Sequence, residues 1–174
     1  MSIDSLKAAL PEYAKDIKLN ISSALMQKDL SQTQLWGTAV AVAAACRSKQ
    51  IAEWVYAEAK EHLDDTNFTA ARGAAALMAM NNTYYRTLHL AEDKTLLQKP
   101  AGLRMNFMKS HGADPTDFEL WSLAVSAVNG CGMCISSHRK HLLESGLSDD
   151  QILSAVRIAS ALNAAAAILI ESPL

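Results

Sequence analysis

Residues 116–129 read Thr116-Asp117-Phe118-Glu119-Leu120-Trp121-Ser122-Leu123-Ala124-Val125-Ser126-Ala127-Val128-Asn129. Leu120, Leu123, Ala124, Ala127 and Val128 recur at threes and fours, the spacing that lines one face of an α-helix with apolar side chains. Asn129-Gly130 stops the pattern with residues that favour a helix end. The same reading extends along the chain. It predicts helices at 12–26, 32–46, 49–62, 67–80, 103–110, 116–129, from about 131 to 144, and at 149–168. Breaks fall at Leu63-Asp64-Asp65, Pro100-Ala101-Gly102, Gly112-Ala113-Asp114-Pro115 and Gly146. No run alternates apolar and polar positions with β-branched residues. The expected fold is all-α, a helical bundle forming a single domain over residues 1–174.

The bundle reads as two matching halves. A gapless shift of 85 residues lays Leu35-Trp36 on Leu120-Trp121, Cys46 on Cys131, Asp64-Asp65 on Asp149-Asp150 and Arg72 on Arg157. Residues 31–82 thus match 116–167, which we read as an internal duplication. In this register Lys49 stands at the place of Cys134 and Glu53 at that of His138. Any thiol chemistry therefore belongs to the second half, and Cys46 reads as a small buried apolar residue.

Composition narrows the function classes. The chain has 174 residues, half of them apolar and a fifth charged, so it is long enough to bury a core without disulfides or metal. Its formal charge of −2 argues against nucleic acid, whose phosphates call for a basic patch. Acidic residues come early (Asp4, Glu12, Asp16), so no basic-then-apolar leader is read. The apolar stretch 155–170 carries Arg157 and Asn163, which argues against a membrane span. No glycine-rich phosphate loop or nucleotide fingerprint is present. The expectation is a cytoplasmic protein with no tightly bound cofactor and no metal. With three cysteines and a reducing compartment, a close thiol pair is catalytic or metal-binding rather than structural.

That pair lies in Cys131-Gly132-Met133-Cys134-Ile135-Ser136-Ser137-His138. A helix opening near Cys131 puts the pair where unpaired backbone N–H groups and the helix dipole favour a thiolate, the nucleophile of thiol exchange. Two helical residues three apart have Cβ atoms about 5–6 Å apart, against about 3.8 Å in a relaxed disulfide. A 131–134 bridge is therefore expected to bend the first turn. His138, one turn beyond Cys134, can take a proton from that thiol. This favours Cys134 as the sulfur that attacks a hydroperoxide. Exposure favours the outer thiol in exchange with a bulky disulfide, so the order of attack stays open. Metal is the weaker rival: Cys131, Cys134, His138 and His141 share one stripe, but ten helical residues span about 15 Å and cannot close on one ion. His141 reads as a solvated residue. Glu119 has two readings, as the last member of a capping box Thr116-x-x-Glu119 or as a proton carrier to His138 or Cys134.

Glu119…Cys131-x-x-Cys134-x-x-x-His138 on a duplicated all-helical chain resembles the alkyl hydroperoxidase D family, within the carboxymuconolactone decarboxylase superfamily. The resemblance covers essentially the whole chain. It implies an antioxidant enzyme that reduces alkyl hydroperoxides and regenerates a partner peroxiredoxin, alkyl hydroperoxide reductase C (AhpC). Electrons are implied to come from dihydrolipoamide on the lipoylated subunit of a 2-oxoacid dehydrogenase, and the assembly to be a homotrimer. The resemblance gives Cys134 the sulfenic acid, Cys131 the role of proton donor and disulfide partner, and Glu119 with His138 the proton relay. A second histidine of the family pattern is replaced here by Met133, which carries no proton. A decarboxylase or lactone-processing enzyme and a non-enzymatic redox sensor are the alternatives.

Overall fold

The computed structural model describes residues 2–169. Its helices are α1 (Ile3–Ala9), α2 (Lys15–Leu25), α3 (Gln32–Ala45), α4 (Lys49–Ala59), α5 (Asp65–Leu90), the single turn α6 (Lys94–Leu97), α7 (Pro115–Val128), α8 (Gly132–Glu144) and α9 (Asp149–Leu169). The fold is all-α, with no strand among the described residues. Helices α3 and α7 form the centre. They pack on each other and on α5 and α9, and more than half of the residues of each are buried. Close approach of α3 and α7 depends on small side chains, Gly37 among them. A Cβ there would stand 2.2 Å from the indole of Trp121, which is itself fully buried.

Several expectations are corrected. The segment 12–26 opens as a 3-10 turn, Glu12–Ala14, before α2 begins. The segment 103–110 holds only a 3-10 turn, Asn106–Lys109. Helix α5 runs ten residues past Met80, starting with Asn81-Asn82-Thr83-Tyr84-Tyr85, residue types of modest helix propensity. A tertiary contact supports that extension: Asn82 is buried and bonded to Ser126 of α7. Helix α9 is long and apolar enough to cross a membrane by length and composition, despite Arg157 and Asn163. More than half of that window is buried within the protein, and α9 packs on α2, α3 and α7.

The two halves place their helices in the same order, but not at an offset of 85. Ser31 and Asp114 cap α3 and α7, and Ser48 and Cys131 cap α4 and α8, both at an offset of 83. Asp64 caps α5, and the Ser148 hydroxyl accepts from Gln151 N at the head of α9, an offset of 84. Burial follows the same register: Ile51, Val55 and Ala59 of α4 answer to Cys134, His138 and Leu142 of α8. A slip of two residues turns a helix by about 200° and exchanges its buried and exposed faces. Alanine-rich helices conceal such a slip, because alanine serves either face. The structural counterparts of Cys131, Cys134 and His138 are therefore Ser48, Ile51 and Val55, rather than Cys46, Lys49 and Glu53.

Candidate active site

The site is built where α7 turns into α8. Asn129 ends α7, and Gly130 takes a left-handed conformation with φ of 67°. Gly130 N donates to the Ala127 carbonyl at 3.2 Å, and Cys131 N donates to the Ser126 carbonyl at 3.1 Å. These two bonds form a Schellman ending, which calls for glycine at the left-handed position. The same Cys131 is the N-cap of α8, with φ −94° and ψ 88°, and its sulfur accepts Cys134 N at 3.3 Å. One residue thus closes one helix and opens the next.

This placement corrects the expectation that both cysteines are helical. Cys131 stands outside α8, so its bridge to Cys134 closes without bending the first turn. The two sulfurs are joined, with Cα atoms 5.3 Å apart, inside the usual disulfide range of about 4.4–6.8 Å. The two residues differ in burial: Cys131 is 0 % exposed and Cys134 8 %.

Behind the pair, His138 Nδ1 lies 2.8 Å from Glu119 Oε1. This contact leaves the histidine's Nε2 free to act as a base. The capping reading of Glu119 fails, because Asp114 is the N-cap of α7, accepting from Thr116 N and Asp117 N, with Pro115 in the first turn. The capping box belongs instead to α3, where Ser31 and Gln34 make both reciprocal bonds. Glu119 instead points toward α8. Burial pushes its carboxyl up, but the hydrogen bond and charge of His138, and then those of His141, outweigh it and hold the group below the ordinary carboxylate value. It is an anion across the neutral range.

Two features escaped the sequence reading. His141 is exposed, as expected, yet its Nδ1 reaches the same Glu119 oxygen at 3.0 Å. The i, i+3 spacing of His138 and His141 puts the two on one face of α8, but it does not name the partner they share on α7. A polar network also holds the Cys131 loop from α5. Asn82 donates to Ser126 Oγ and accepts from Asn129 Nδ2, each at 2.9 Å, and Arg86 donates to the Asn129 carbonyl. These residues are far from the motif in sequence and had no local signal.

Cys46 takes no part. It is the C-cap of α3 and the free cysteine of the described residues, and burial pushes its thiol up to about 12. At neutral pH it carries no nucleophilic thiolate. Among the described residues no group of three His, Cys, Asp or Glu side chains is placed to hold a metal ion.

Residues 95–170, which contain the whole site, match the carboxymuconolactone decarboxylase family. The chain is 49 % identical over 169 residues to the alkyl hydroperoxide reductase AhpD of Rhodospirillum centenum, covering 97 % of this chain and 91 % of that protein. It is 51 % identical over 169 residues to the protein of the same name from Maricaulis maris, covering 97 % and 98 %. The AhpD of Solibacter usitatus is 49 % identical over 169 residues, covering 97 % of this chain and 96 % of that protein. Similarity at this level over nearly the full length of both partners places the chain in the AhpD family, within the carboxymuconolactone decarboxylase family.

Proposed function

We propose that this protein is a dithiol-dependent alkyl hydroperoxide reductase whose working residues are Cys131, Cys134, His138 and Glu119. The joined sulfurs at the head of α8, backed by the His138–Glu119 pair, carry this reading. The names of the AhpD relatives support the reaction class.

The chemistry balances as two half-reactions. Oxidation starts when His138 takes the Cys134 proton and the thiolate attacks the outer oxygen of ROOH. The O–O bond breaks, ROH leaves with a proton, and Cys134 becomes a sulfenic acid. Cys131 then attacks that sulfur and expels water, forming the bridge. In reduction a donor thiolate attacks Cys134, the more exposed of the two residues, and Cys131 leaves as a thiolate. The leaving group is favoured by the Cys134 N–H and the positive end of α8. The donor's second thiol closes its own disulfide, and His138 returns a proton to Cys134. With an oxidised peroxiredoxin of the AhpC type, the Cys134 thiolate instead attacks the partner's disulfide and one partner thiol leaves; Cys131 then attacks Cys134 in the mixed disulfide, frees the second partner thiol and closes the 131–134 bridge.

The donor in this reading is dihydrolipoamide on a lipoylated 2-oxoacid dehydrogenase subunit, in the cytoplasm, with the protein assembled as a homotrimer. Purified protein given dihydrolipoamide and cumene hydroperoxide is expected to oxidise the donor, and Cys134→Ser to abolish turnover. Full activity in that variant overturns the reading.

A further inference from the structure

We infer that His141 is the solvent end of a proton path that runs from His138 through Glu119, a role that deepens the proposed reductase reading and rests on it. The geometry is direct. Both imidazoles place Nδ1 on one oxygen of Glu119, at 2.8 Å for His138 and 3.0 Å for His141. Access rises steadily along the path. The side chains of His138, Glu119 and His141 are 10 %, 18 % and 59 % exposed.

The redox sulfurs need such a path. Cys131 has no exposed surface and Cys134 little, so protons that leave or reach the thiols have few waters to meet. Met133, beside Cys134, carries none. His138 accepts the Cys134 proton on Nε2 and passes its Nδ1 proton to Glu119. His141, in the tautomer with Nε2 protonated, takes it on Nδ1 and releases another from Nε2 to water. The reverse sequence reloads His138 for the reductive half. No net charge accumulates at Glu119, which stays a carboxylate between transfers.

The other charges around the pair are committed elsewhere. On α8 itself, Arg139 forks onto Asp149 at the start of α9, with two bonds of 2.8 Å, and Lys140 lies 3.9 Å from Glu144. From α5, Arg86 donates to the Asn129 carbonyl. Glu119, from α7, is the anion within ion-pair distance of His141 among the described residues. His141 touches neither sulfur in the reaction scheme, so it is a positioning and relay residue rather than a catalytic one.

The test is chemical rescue. His141→Ala in dilute buffer is expected to lower kcat about tenfold, less than the ~10²–10⁴-fold that losing a direct base costs, with KM for dihydrolipoamide unchanged. Added imidazole should restore turnover in His141→Ala and leave wild type unaffected. Because His141 is exposed, the variant should keep the wild-type melting temperature, and His141→Gln serves as a second, better-packed variant. Wild-type kcat in both variants, or a loss that imidazole fails to restore, overturns the inference. If turnover survives Cys134→Ser, the reductase reading itself falls. If turnover depends on Cys134 but ignores His141, only the relay falls.

Discussion

Asn82 links the long helix α5 to the redox loop, and its removal can be worked through in numbers. Asn82→Ala deletes two hydrogen bonds of 2.9 Å, one to the Ser126 hydroxyl and one from Asn129 Nδ2. At a net ~1 kcal/mol each they amount to about 2 kcal/mol. Ser126 is fully buried and loses its donor, which adds about 1 kcal/mol or more. Asn129 is half-buried and can turn to water, so it adds little. The total is about 3 kcal/mol. For chains of roughly this size each kcal/mol moves Tm by about 2–4 °C, so thermal unfolding should show a fall of about 6–12 °C. Asn82→Leu keeps the volume and loses the same bonds, so it should fall nearly as far. The variants should also slow reduction of the 131–134 bridge by dihydrolipoamide, because Asn129 and the Ser126 carbonyl seat Cys131. A fall of less than about 2 °C in Asn82→Ala, or a wild-type Tm in Asn82→Leu, would refute the claim that these bonds hold the loop.

Two further outcomes concern the core and the site. Gly37→Ala gains about 1 kcal/mol of helix propensity, yet its Cβ meets buried Trp121 at 2.2 Å, and overpacking of that kind costs about 1–3 kcal/mol. The denaturant midpoint should therefore fall, and a rise would show that the indole yields. Glu119 has a folded pKa below its ordinary 4.5, so its stabilising contribution is present above that value and is lost as pH falls through the folded one. The Tm gap between wild type and Glu119→Gln should be steady near neutrality and close below about pH 4.5, whereas a gap unchanged at about pH 3 would contradict the ion pairing.

Much of the site was legible in the chain because its signals are local. The Cys131-x-x-Cys134-x-x-x-His138 spacing lies on one turn and one helix, and Gly130 announces the left-handed ending that precedes it. Glu119 was legible as a residue and ambiguous as a role. Thr116-x-x-Glu119 satisfies the capping pattern, but Asp114-Pro115 starts the helix two residues earlier and frees the carboxylate. His141 was read as solvated from the charges beside it. Its partner lies on another helix, and no local spacing names it.

The repeat shows the same division. Residue identity favours an offset of 85, whereas caps and buried faces favour 83 and 84. Identity among alanine-rich helices measures composition, while burial measures the angle at which a helix meets its neighbours. The sequence by itself determined that the chain is all-α, that the dithiol belongs to the second half and that His138 stands one turn from Cys134, because these follow from periodicity and short spacing. Only the tertiary structure decided that Cys131 lies outside α8, that Asn82 and Arg86 hold its loop and that Glu119 joins His138 to His141. Those facts depend on how separate helices are rotated and docked, and docking is set by packing across the whole core rather than by neighbours along the chain.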